Sequence, residues 1–538
     1  MSDATVPRPL TFAGFPLASW AFALRVWIAI VVALYAAFWL QLEAASSAAV
    51  CVGILAFPTR GQAFEKAGFR FLATVIGVAV SIVLVGALSQ TRDLLLLAFA
   101  AWIGLCVYGS SVSDGNRAYA AALSGYTVAI VAIQEIDAPR HLFETGMARG
   151  AAITVGIAVI AVVNDLLVAP DRHVGLADQL ADLQGRVRDF ARTAARGGPA
   201  DPVSTAGLLR GIAALRSEML SLLTESSSGG NRSAAARSAA VALVAEVHAA
   251  RALAAVPAAI NSALRDSASR EVLRRDREAG EALANLAAGA RPAHAWHTPL
   301  YRAHRFAVEA GVRAALWVAM ASAVFVLGGW SATAISLTQV AVVVGLGATA
   351  PDPRRFTLLA LITGLIAALC AGVLEFLVLD GATEFPLLAL ALAPVIVGSA
   401  LLLARPNAAV SAAGRLILIN VLVILGLSNP PSYNPETFLD VSLFVILAAV
   451  LMVAAQALIP PVSDERRRRW MIDSARRELE RLPSSEPARY APEEAMFRDA
   501  VRIGQIAALG APATQLEEAL GLFDQAGMIR LGEQRLAR

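Results

Sequence analysis

The sequence predicts an all-α, polytopic membrane protein in which two blocks of about six helices flank a soluble helical domain. Three observations predict this class. Of the 538 residues, 57% are apolar and only 16% are charged, and the mean hydropathy is +0.62, whereas a soluble domain carries roughly 25% charged residues. Twelve apolar stretches approach the length of about 20 residues that a membrane-spanning helix requires. A long polar stretch separates the first six from the last six.

The apolar stretches give the positions of the spans. The predicted spans are residues 20–40, 44–58, 69–89, 94–112, 119–134, 143–168, 306–328, 331–350, 356–379, 386–404, 408–427 and 441–459. The chain is therefore divided into a first transmembrane half (1–170), a helical domain (171–305), a second transmembrane half (306–460) and a helical tail (461–538). Within the polar parts, helices are expected at 174–196, 203–225, 232–255 and 263–289, with two or three more in the tail.

Basic residues in the short loops predict the orientation, because cytoplasmic loops are enriched in Lys and Arg. If the N-terminus is inside, the outer loops hold only Arg92 and Arg140. The inner loops then hold Arg60, Lys66, Arg70, Arg117, Arg354, Arg355 and Arg405. We therefore expect a multi-pass protein of a bacterial inner membrane, with both termini and the helical domain in the cytoplasm.

Several functions have no supporting pattern in the sequence. The net charge of +3 is too small to indicate nucleic-acid binding. Lys66 is the only Lys and lies in Glu-Lys-Ala, so no Gly-Lys-Ser/Thr phosphate-binding loop is present. His294, His297 and His304 could suggest a metal site, but they lie in a Pro-containing linker without acidic or Cys neighbours. We therefore expect neither an enzyme nor a bound metal or cofactor.

The two transmembrane halves share features at matching positions. Arg25 and Arg313 each lie in the first span of their half, and each second span ends at a Pro before a basic inner loop. Six spans return the chain to its starting side, so the halves are expected to be parallel repeats related by an axis along the membrane normal.

Three segments resemble motifs of a known family. They are Arg70-Phe-Leu-Ala-Thr-Val-Ile-Gly in the third span, Ser124-Gly-Tyr-Thr in the fifth span and Ser432-Tyr-Asn-Pro-Glu-Thr-Phe-Leu in the last outer loop. Together with the arrangement of spans, they resemble the fusaric acid resistance (FUSC) family of aromatic acid exporters. The resemblance implies efflux of small aromatic carboxylic acids, often with a periplasmic adaptor protein as partner. The chain departs from the family at Ser46-Ser47, where an aromatic residue is common, and in its short C-terminal segment. A more distant similarity is to the plant aluminium-activated malate transporters, which are anion channels.

Charged residues inside spans are costly and are therefore candidates for function. Arg25, Arg149, Arg313 and Arg415 are predicted to bind a small organic anion, because a guanidinium stays protonated and matches a carboxylate with two hydrogen bonds. Arg149 and Arg415 are the strongest candidates, since neither has an acidic residue three or four positions away in its own span. The alternative is that these arginines pair with neighbouring helices, as Glu309 allows for Arg313.

Tyr126 and Thr127 are further candidates for substrate contact, with helix–helix packing as the alternative. The stiff outer loop 428–440, with Pro430, Pro431 and Pro435, predicts a role in assembly or gating. Its alternative is a simple cap in which Asn434 or Thr437 starts the last helix. Three functions remain open at this point: an exporter of small organic anions, an anion channel, and a non-transporting scaffold. The sequence specifies neither an oligomeric state nor a coupling ion.

Overall fold

The chain forms two compact units in a computed structural model, which describes residues 11–57, 60–167, 172–224, 228–256, 262–329, 333–381, 383–482 and 490–536. The first unit comprises residues 1–111, 116–170 and 307–461. The second unit comprises residues 112–115, 171–306 and 462–538, so the central polar stretch and the tail fold together.

Nearly all of the regular structure is helical. The first helices are α1 (Leu17–Trp39), α2 (Ala45–Leu55), α3 (Arg60–Leu88), α4 (Arg92–Ser111), α5 (Gly115–Val128) and α6 (Leu142–Leu166). They are followed by α7 (Arg172–Ala195), α8 (Pro202–Ala214), α9 (Arg216–Ser221), α10 (Gly229–Ala255) and α11 (Ser262–Ala288). The next six are α12 (His304–Leu327), α13 (Thr333–Thr349), α14 (Pro353–Val373), α15 (Phe385–Leu403), α16 (Ala408–Leu425) and α17 (Pro435–Leu458). The last are α18 (Asp464–Arg481), α19 (Pro492–Ala508) and α20 (Ala513–Leu536).

A small β-hairpin precedes α1. Strand β1 (Thr11–Phe12) pairs antiparallel with β2 (Phe15–Pro16) through Ala13 and Gly14, which both have positive φ. Positive φ at both turn residues matches the twist of a two-residue hairpin. This hairpin is an addition to the helices that the sequence predicts.

Some helix boundaries differ from the predicted spans. Helix α17 begins at Pro435 rather than at 441, because the side chain of Asn434 accepts a hydrogen bond from the Glu436 amide at 2.9 Å and Pro435 suits the first helical position. The cap predicted for Asn434 is therefore confirmed. The single helix predicted at 203–225 is wrong, since α8 ends at Ala214 and α9 gives way to a 3-10 turn at Leu222–Thr224.

Ten of the described helices are long and apolar enough to cross a membrane. Nine of them belong to the first unit, together with the shorter apolar helices α2 and α13. The tenth, α10, lies in the second unit, where 78% of its apolar window is buried against other helices. A helix that is apolar all round can be the core of a bundle, so we assign α10 to the second unit's interior.

Helix α3 is polar on its buried side and apolar on its outer side. Arg70 is only 2% exposed, and Thr74 and Ser81 are also buried. Phe71 and Leu72 on the opposite side are about half exposed. This inverted pattern is typical of a helix that faces lipid outward and polar groups inward.

Two apolar cores hold the first unit together, and each combines helices from both ends of the chain. One core is formed mainly by α1, α2 and α6 with α14, α15 and α16. The other is formed mainly by α3, α4 and α5 with α12, α13 and α17. Neither sequence half of this unit therefore builds a core by itself.

Close backbone contact joins α4 to α12. A Cβ atom added at Gly104 would lie 2.7 Å from the carbonyl oxygen of Gly311, and one added at Gly311 would lie 2.6 Å from that of Gly104. Small residues allow such approach between membrane helices, where packing replaces the hydrophobic effect as the source of association.

We predict that Gly104→Ala destabilises the first unit, because a methyl group at 2.7 Å from a backbone oxygen forces the two helices apart. The midpoint temperature of thermal unfolding of the detergent-solubilised protein should fall by several degrees. This corresponds to a loss of about 1–3 kcal/mol in the free energy of unfolding, which is typical of overpacking. Gly86→Ala in α3 is the matched control, since an added Cβ there meets nothing within 4 Å among the described residues. Equal midpoints for the two variants would contradict the close contact.

The second unit is a bundle around α10, and within its described residues the buried acid Glu246 has no hydrogen-bond partner. Glu246 is 0% exposed, and neither carboxyl oxygen has a hydrogen-bond partner among the described residues. Burial raises the pKa of Glu246 to about 8, with a further contribution from the negative charge of Asp276 and an opposing one from Arg188. The folded state therefore holds a proton that the unfolded chain releases near its ordinary value of 4.5.

We predict that the stability of the second unit falls as the pH rises from about 4.5 to about 8, because the unfolded state then binds fewer protons than the folded state. Glu246→Gln should remove most of this dependence and increase protection at pH 8. The measurement is hydrogen exchange of the α10 amides in the full chain, corrected for the intrinsic pH dependence of exchange. Glu281→Gln on the exposed side of α11 is the control and should keep the wild-type profile.

Candidate functional site

Four cationic side chains gather inside the first unit. Lys66 and Arg70 come from α3, Arg149 from α6 and Arg415 from α16. Lys66 and Arg149 are each 9% exposed and Arg70 is 2% exposed, while Arg415 is partly buried. Lys66 interacts electrostatically with Arg70 and Arg415, and Arg149 with Arg70. We call these four residues the cation cluster.

Like charges in an apolar interior repel one another, so the source of their stabilisation matters. Among the described residues, no Asp or Glu forms an ion pair with any member of the cation cluster. The nearest acid in sequence, Glu65, accepts a hydrogen bond from Asn116 at 2.9 Å. Neutral groups therefore supply the contacts that the structure provides.

Arg70 is held by two neutral partners on neighbouring helices. Its Nε donates to the Cys51 sulfur at 3.1 Å, and its Nη1 donates to the Tyr119 hydroxyl at 2.6 Å. Cys51 lies on α2 and Tyr119 on α5, so the guanidinium ties α3 to both. Arg70 is therefore well fixed in position.

Lys66 lies one turn before Arg70 and contacts aromatic rings. Its ammonium nitrogen is 4.6 Å from the ring centroid of Phe57 and 4.5 Å from that of Tyr119. Both distances are within the range of cation–π attraction, which strengthens when the cation is removed from water. The rings stabilise the charge and leave the N–H groups available as donors.

Arg415 is bound mainly by the backbone at the end of α2. Its Nη1 donates to the Ile54 carbonyl at 2.8 Å and its Nη2 to the Ala56 carbonyl at 3.2 Å, while the guanidinium lies 4.7 Å from the Phe57 centroid. The last carbonyls of a helix lack partners within the helix and carry partial negative charge. Arg415 therefore has a structural contact that the sequence does not reveal.

Arg149 differs from the other three. No hydrogen bond or ion pair joins it to any residue in the described part of the chain, and its buried Nε has no partner there. It interacts electrostatically with Arg70, Tyr126, Cys51 and Tyr119, which places it beside the cluster's polar groups. A buried guanidinium of this kind can accept a carboxylate as its missing counter-ion.

The remaining predicted site residues lie in different surroundings. Tyr126 is buried and interacts with Tyr119 and Arg70, so it belongs with the cation cluster. Thr127 packs against Gly77, two turns along α3 from Arg70. Arg25 lies over the Phe22 ring of its own helix at 5.9 Å.

Arg313 forms a 2.6 Å ion pair with Glu309 on α12, which confirms the helix pair expected for that spacing. The substrate contacts predicted for Arg25, Thr127 and Arg313 stay predictions.

Lys66, Arg70 and Tyr119 belong to the cluster but are not among the site residues that the sequence predicts. Lys66 lies before the predicted start of the third span at residue 69, whereas α3 begins at Arg60. Arg70 lies just inside that predicted span and is counted with the inner loop because it is close to its end. A helical signal was present: residues 66, 70, 73, 74, 77 and 81 recur at intervals of three or four and are all buried. Extending the helical period one turn backwards from Arg70 identifies Lys66 as a residue on the same buried face.

Of the three linker histidines, His297 pairs with an acidic residue inside the second unit. His297 Nδ1 lies 2.9 Å from Glu494 of α19, and the Glu494 carboxylate also accepts a hydrogen bond from the His297 amide at 2.8 Å. No group of three or more metal-ligating side chains occurs in the described ranges.

Comparisons with known proteins match the chain to a family model and to proteins named as efflux pumps and transporters. The model described as "Fusaric acid resistance protein family" matches residues 19–274 and 238–523. The chain is 24% identical over 510 residues to the "p-hydroxybenzoic acid efflux pump subunit AaeB" of Yersinia pestis, covering 84% of this chain and 78% of that protein. It is 30% identical over 218 residues to the protein of the same name from Musicola paradisiaca, covering 38% and 33% of the two chains.

A shorter similarity links the chain to the "Uncharacterized transporter YdhK" of Escherichia coli K12, with 29% identity over 177 residues. This match covers 32% of the present chain and only 26% of the relative. No solved structure matches the chain.

We predict that Arg415→Gln and Arg149→Gln differ in their effect on stability. Arg415→Gln removes hydrogen bonds to the Ile54 and Ala56 carbonyls, so the free energy of unfolding should fall by about 1–3 kcal/mol and the thermal midpoint should fall with it. Arg149→Gln removes an uncompensated buried charge and should leave the midpoint unchanged or raised. Thermal unfolding of the two purified variants checks both. A larger loss in Arg149→Gln would indicate that Arg149 has a structural role.

Proposed function

Because the chain belongs to the fusaric acid resistance protein family, we propose that it is a membrane transporter that exports small organic carboxylic acids through a site at the cation cluster. The observation that carries the proposal is Arg149, a buried guanidinium without a hydrogen bond or ion pair among the described residues. Arg70 interacts electrostatically with Arg149, and Lys66 interacts with Arg70 and Arg415, so the cluster as a whole increases the attraction for an anion.

Each member of the cluster has a separate task in this proposal. Arg149 binds the carboxylate, since its donors are not used by the protein. Lys66 raises the local positive potential while Phe57 and Tyr119 hold its ammonium in place. Arg70 fixes the Tyr119 hydroxyl with a 2.6 Å hydrogen bond and so orients the polar wall of the site. Arg415 ties α16 to α2 and closes the site from the second half.

An aromatic substrate fits the same surroundings. Tyr119 and Tyr126 are both buried beside the cations, and Phe57 lies against Lys66 and Arg415. Aromatic rings and hydroxyl groups next to a guanidinium suit a ring that bears a carboxylate. The p-hydroxybenzoic acid in the name of the Yersinia relative is therefore the first substrate to test.

The proposal includes an arrangement of two parallel repeats. The support is the way in which helices combine in the two cores. One core combines the first, second and sixth helices of the first half with the third, fourth and fifth helices of the second half. The other core combines the third, fourth and fifth helices of the first half with the first, second and sixth helices of the second half. A pseudo-twofold axis along the membrane normal would generate this exchange. The loop charges support an inner-membrane protein with both termini and the second unit in the cytoplasm. A periplasmic adaptor protein completes the proposed export path.

We predict that Arg149→Gln lowers transport of p-hydroxybenzoate at least about tenfold, because the carboxylate loses a charged partner. Transport of the neutral analogue p-hydroxybenzamide should change much less. Arg149→Lys should recover part of the activity, since a point charge cannot match both carboxylate oxygens. The measurement is accumulation in proteoliposomes, divided by the amount of folded protein.

Arg140→Gln is the control, because Arg140 is exposed in the predicted outer loop and lies outside the cluster. Accumulation against a concentration gradient identifies an exporter, whereas mere dissipation of the gradient identifies a channel. Unchanged carboxylate transport per folded molecule in Arg149→Gln would refute the proposed anion site.

A further inference from the structure

A cavity lies in the first unit at the C-terminal end of α16. Its volume is ≈ 280 Å³, and it is bounded by the ends of α1, α15 and α16 and by the segment 427–433. Leu425 lines it, ten residues after Arg415, which places the cavity about 15 Å along the helix from the cation cluster. The two sites are therefore separate.

Aromatic rings form much of the cavity wall. Tyr35, Phe38, Trp39, Phe385 and Tyr433 line it. The Phe385 ring contacts Tyr35 with centroids 5.1 Å apart and Phe38 with centroids 6.1 Å apart, both edge to face. These contacts fix the rings of α1 against the start of α15. A wall of fixed rings offers negative π faces to a ligand.

The charges of the cavity are all negative. Glu375 and Glu384 line it, and no Lys, Arg or His is among its described lining residues. Glu375 is only 6% exposed and makes no hydrogen bond to any residue within the described ranges. A π-helical turn, Leu374–Val378, carries this carboxyl group, and such turns are frequent at functional sites.

The environment of Tyr433 is also negatively charged. Burial raises the pKa of the Tyr433 hydroxyl, and the negative charges of Glu375 and Asp380 raise it further. The ionised, negatively charged form of the Tyr433 hydroxyl is therefore disfavoured, and the same negative charges attract a cation. A carboxylate without an ionic partner gains from a ligand that brings a positive charge with it.

We propose that this cavity binds a small organic monocation with an apolar body, such as a substituted ammonium. The ammonium lies against the Glu375 carboxylate, and the apolar body packs on Phe385, Tyr433 and the rings of α1. Aromatic walls combined with a carboxylate are the chemistry that recognises quaternary ammonium groups. The site does not depend on the proposed transport of anions, and it would persist if that proposal failed.

The test is equilibrium binding of radiolabelled benzyltrimethylammonium to the purified full chain in detergent. Glu375→Gln keeps the shape of the side chain and removes its charge, so the dissociation constant should rise about tenfold. Tyr433→Leu should also weaken binding by removing one ring. Glu43→Gln is the matched control, because Glu43 is an exposed carboxylate outside the cavity and should bind the probe as the wild type does.

Competing ligands separate charge recognition from simple apolar filling. Neopentylbenzene, in which carbon replaces the charged nitrogen, should compete weakly, and benzoate should not compete. Equal competition by neopentylbenzene, stronger competition by benzoate, or unchanged binding in Glu375→Gln would each overturn the proposal.

An ammonium can come from a soluble amine or from a lipid headgroup. Competition by lysophosphatidylethanolamine but not by lysophosphatidylglycerol would assign the headgroup as occupant, and competition by neither would assign a soluble cation. Both results support the site. Equal competition by the two lipids would indicate that an acyl chain fills the cavity and would overturn the proposal.

Discussion

The removal of cations from water is the constraint on which the first unit depends. Placing Lys66, Arg70, Arg149 and Arg415 together in an apolar interior costs free energy that no carboxylate in the described part of the chain repays. The protein lowers this cost with neutral groups: the Cys51 sulfur, the Tyr119 hydroxyl, two backbone carbonyls and the Phe57 ring. These groups come from α2, from the two residues that follow it and from α5, and so the cations help to determine how α2, α3, α5 and α16 meet. An acidic residue in place of these neutral groups would neutralise the cations permanently, and no charge would remain for the proposed anion to bind.

The same constraint explains the inverted pattern of α3. A membrane helix that carries two cations must turn them inward, since the lipid cannot solvate them. Lys66 and Arg70 are one turn apart and share a face with Thr74 and Ser81, while Phe71 and Leu72 face outward. The buried face also needs room, and Gly77 provides it: an added Cβ there would lie 2.6 Å from the Cβ of Thr127. Packing and charge thus act on one stripe of the helix.

Periodicity and length were enough to predict the helices, because apolar runs in a membrane leave few alternatives to an α-helix. Local spacing was also enough for the Arg313–Glu309 pair and the Asn434 cap. The site was harder, because its contacts are not local. Arg149 and Tyr126 stood out as polar groups inside apolar spans, but the partners of Arg415 are carbonyls 361 and 359 residues away in the chain. Backbone acceptors leave no signature in a sequence. Lys66 could have been found by extending the predicted third span by one helical turn, and Arg70 already lies inside that span.

The proposed repeats carry their charges unequally. In the second half, the contact between α14 and the end of α17 is neutral at its centre, where Gln456 Nε2 donates to the Thr357 hydroxyl at 2.9 Å. Both side chains are buried, and Arg354 near the start of α14 donates to the Gln456 carbonyl at 3.2 Å instead of entering the interior. Three of the four clustered cations belong to the first half, and Arg415 reaches across from the second. In the proposed arrangement, one half has a satisfied neutral contact and the other the unpaired Arg149, so the scaffold would offer a single anion site per chain. The binding of one anion would then change the balance between the halves, because it neutralises charge on one side of the proposed axis only.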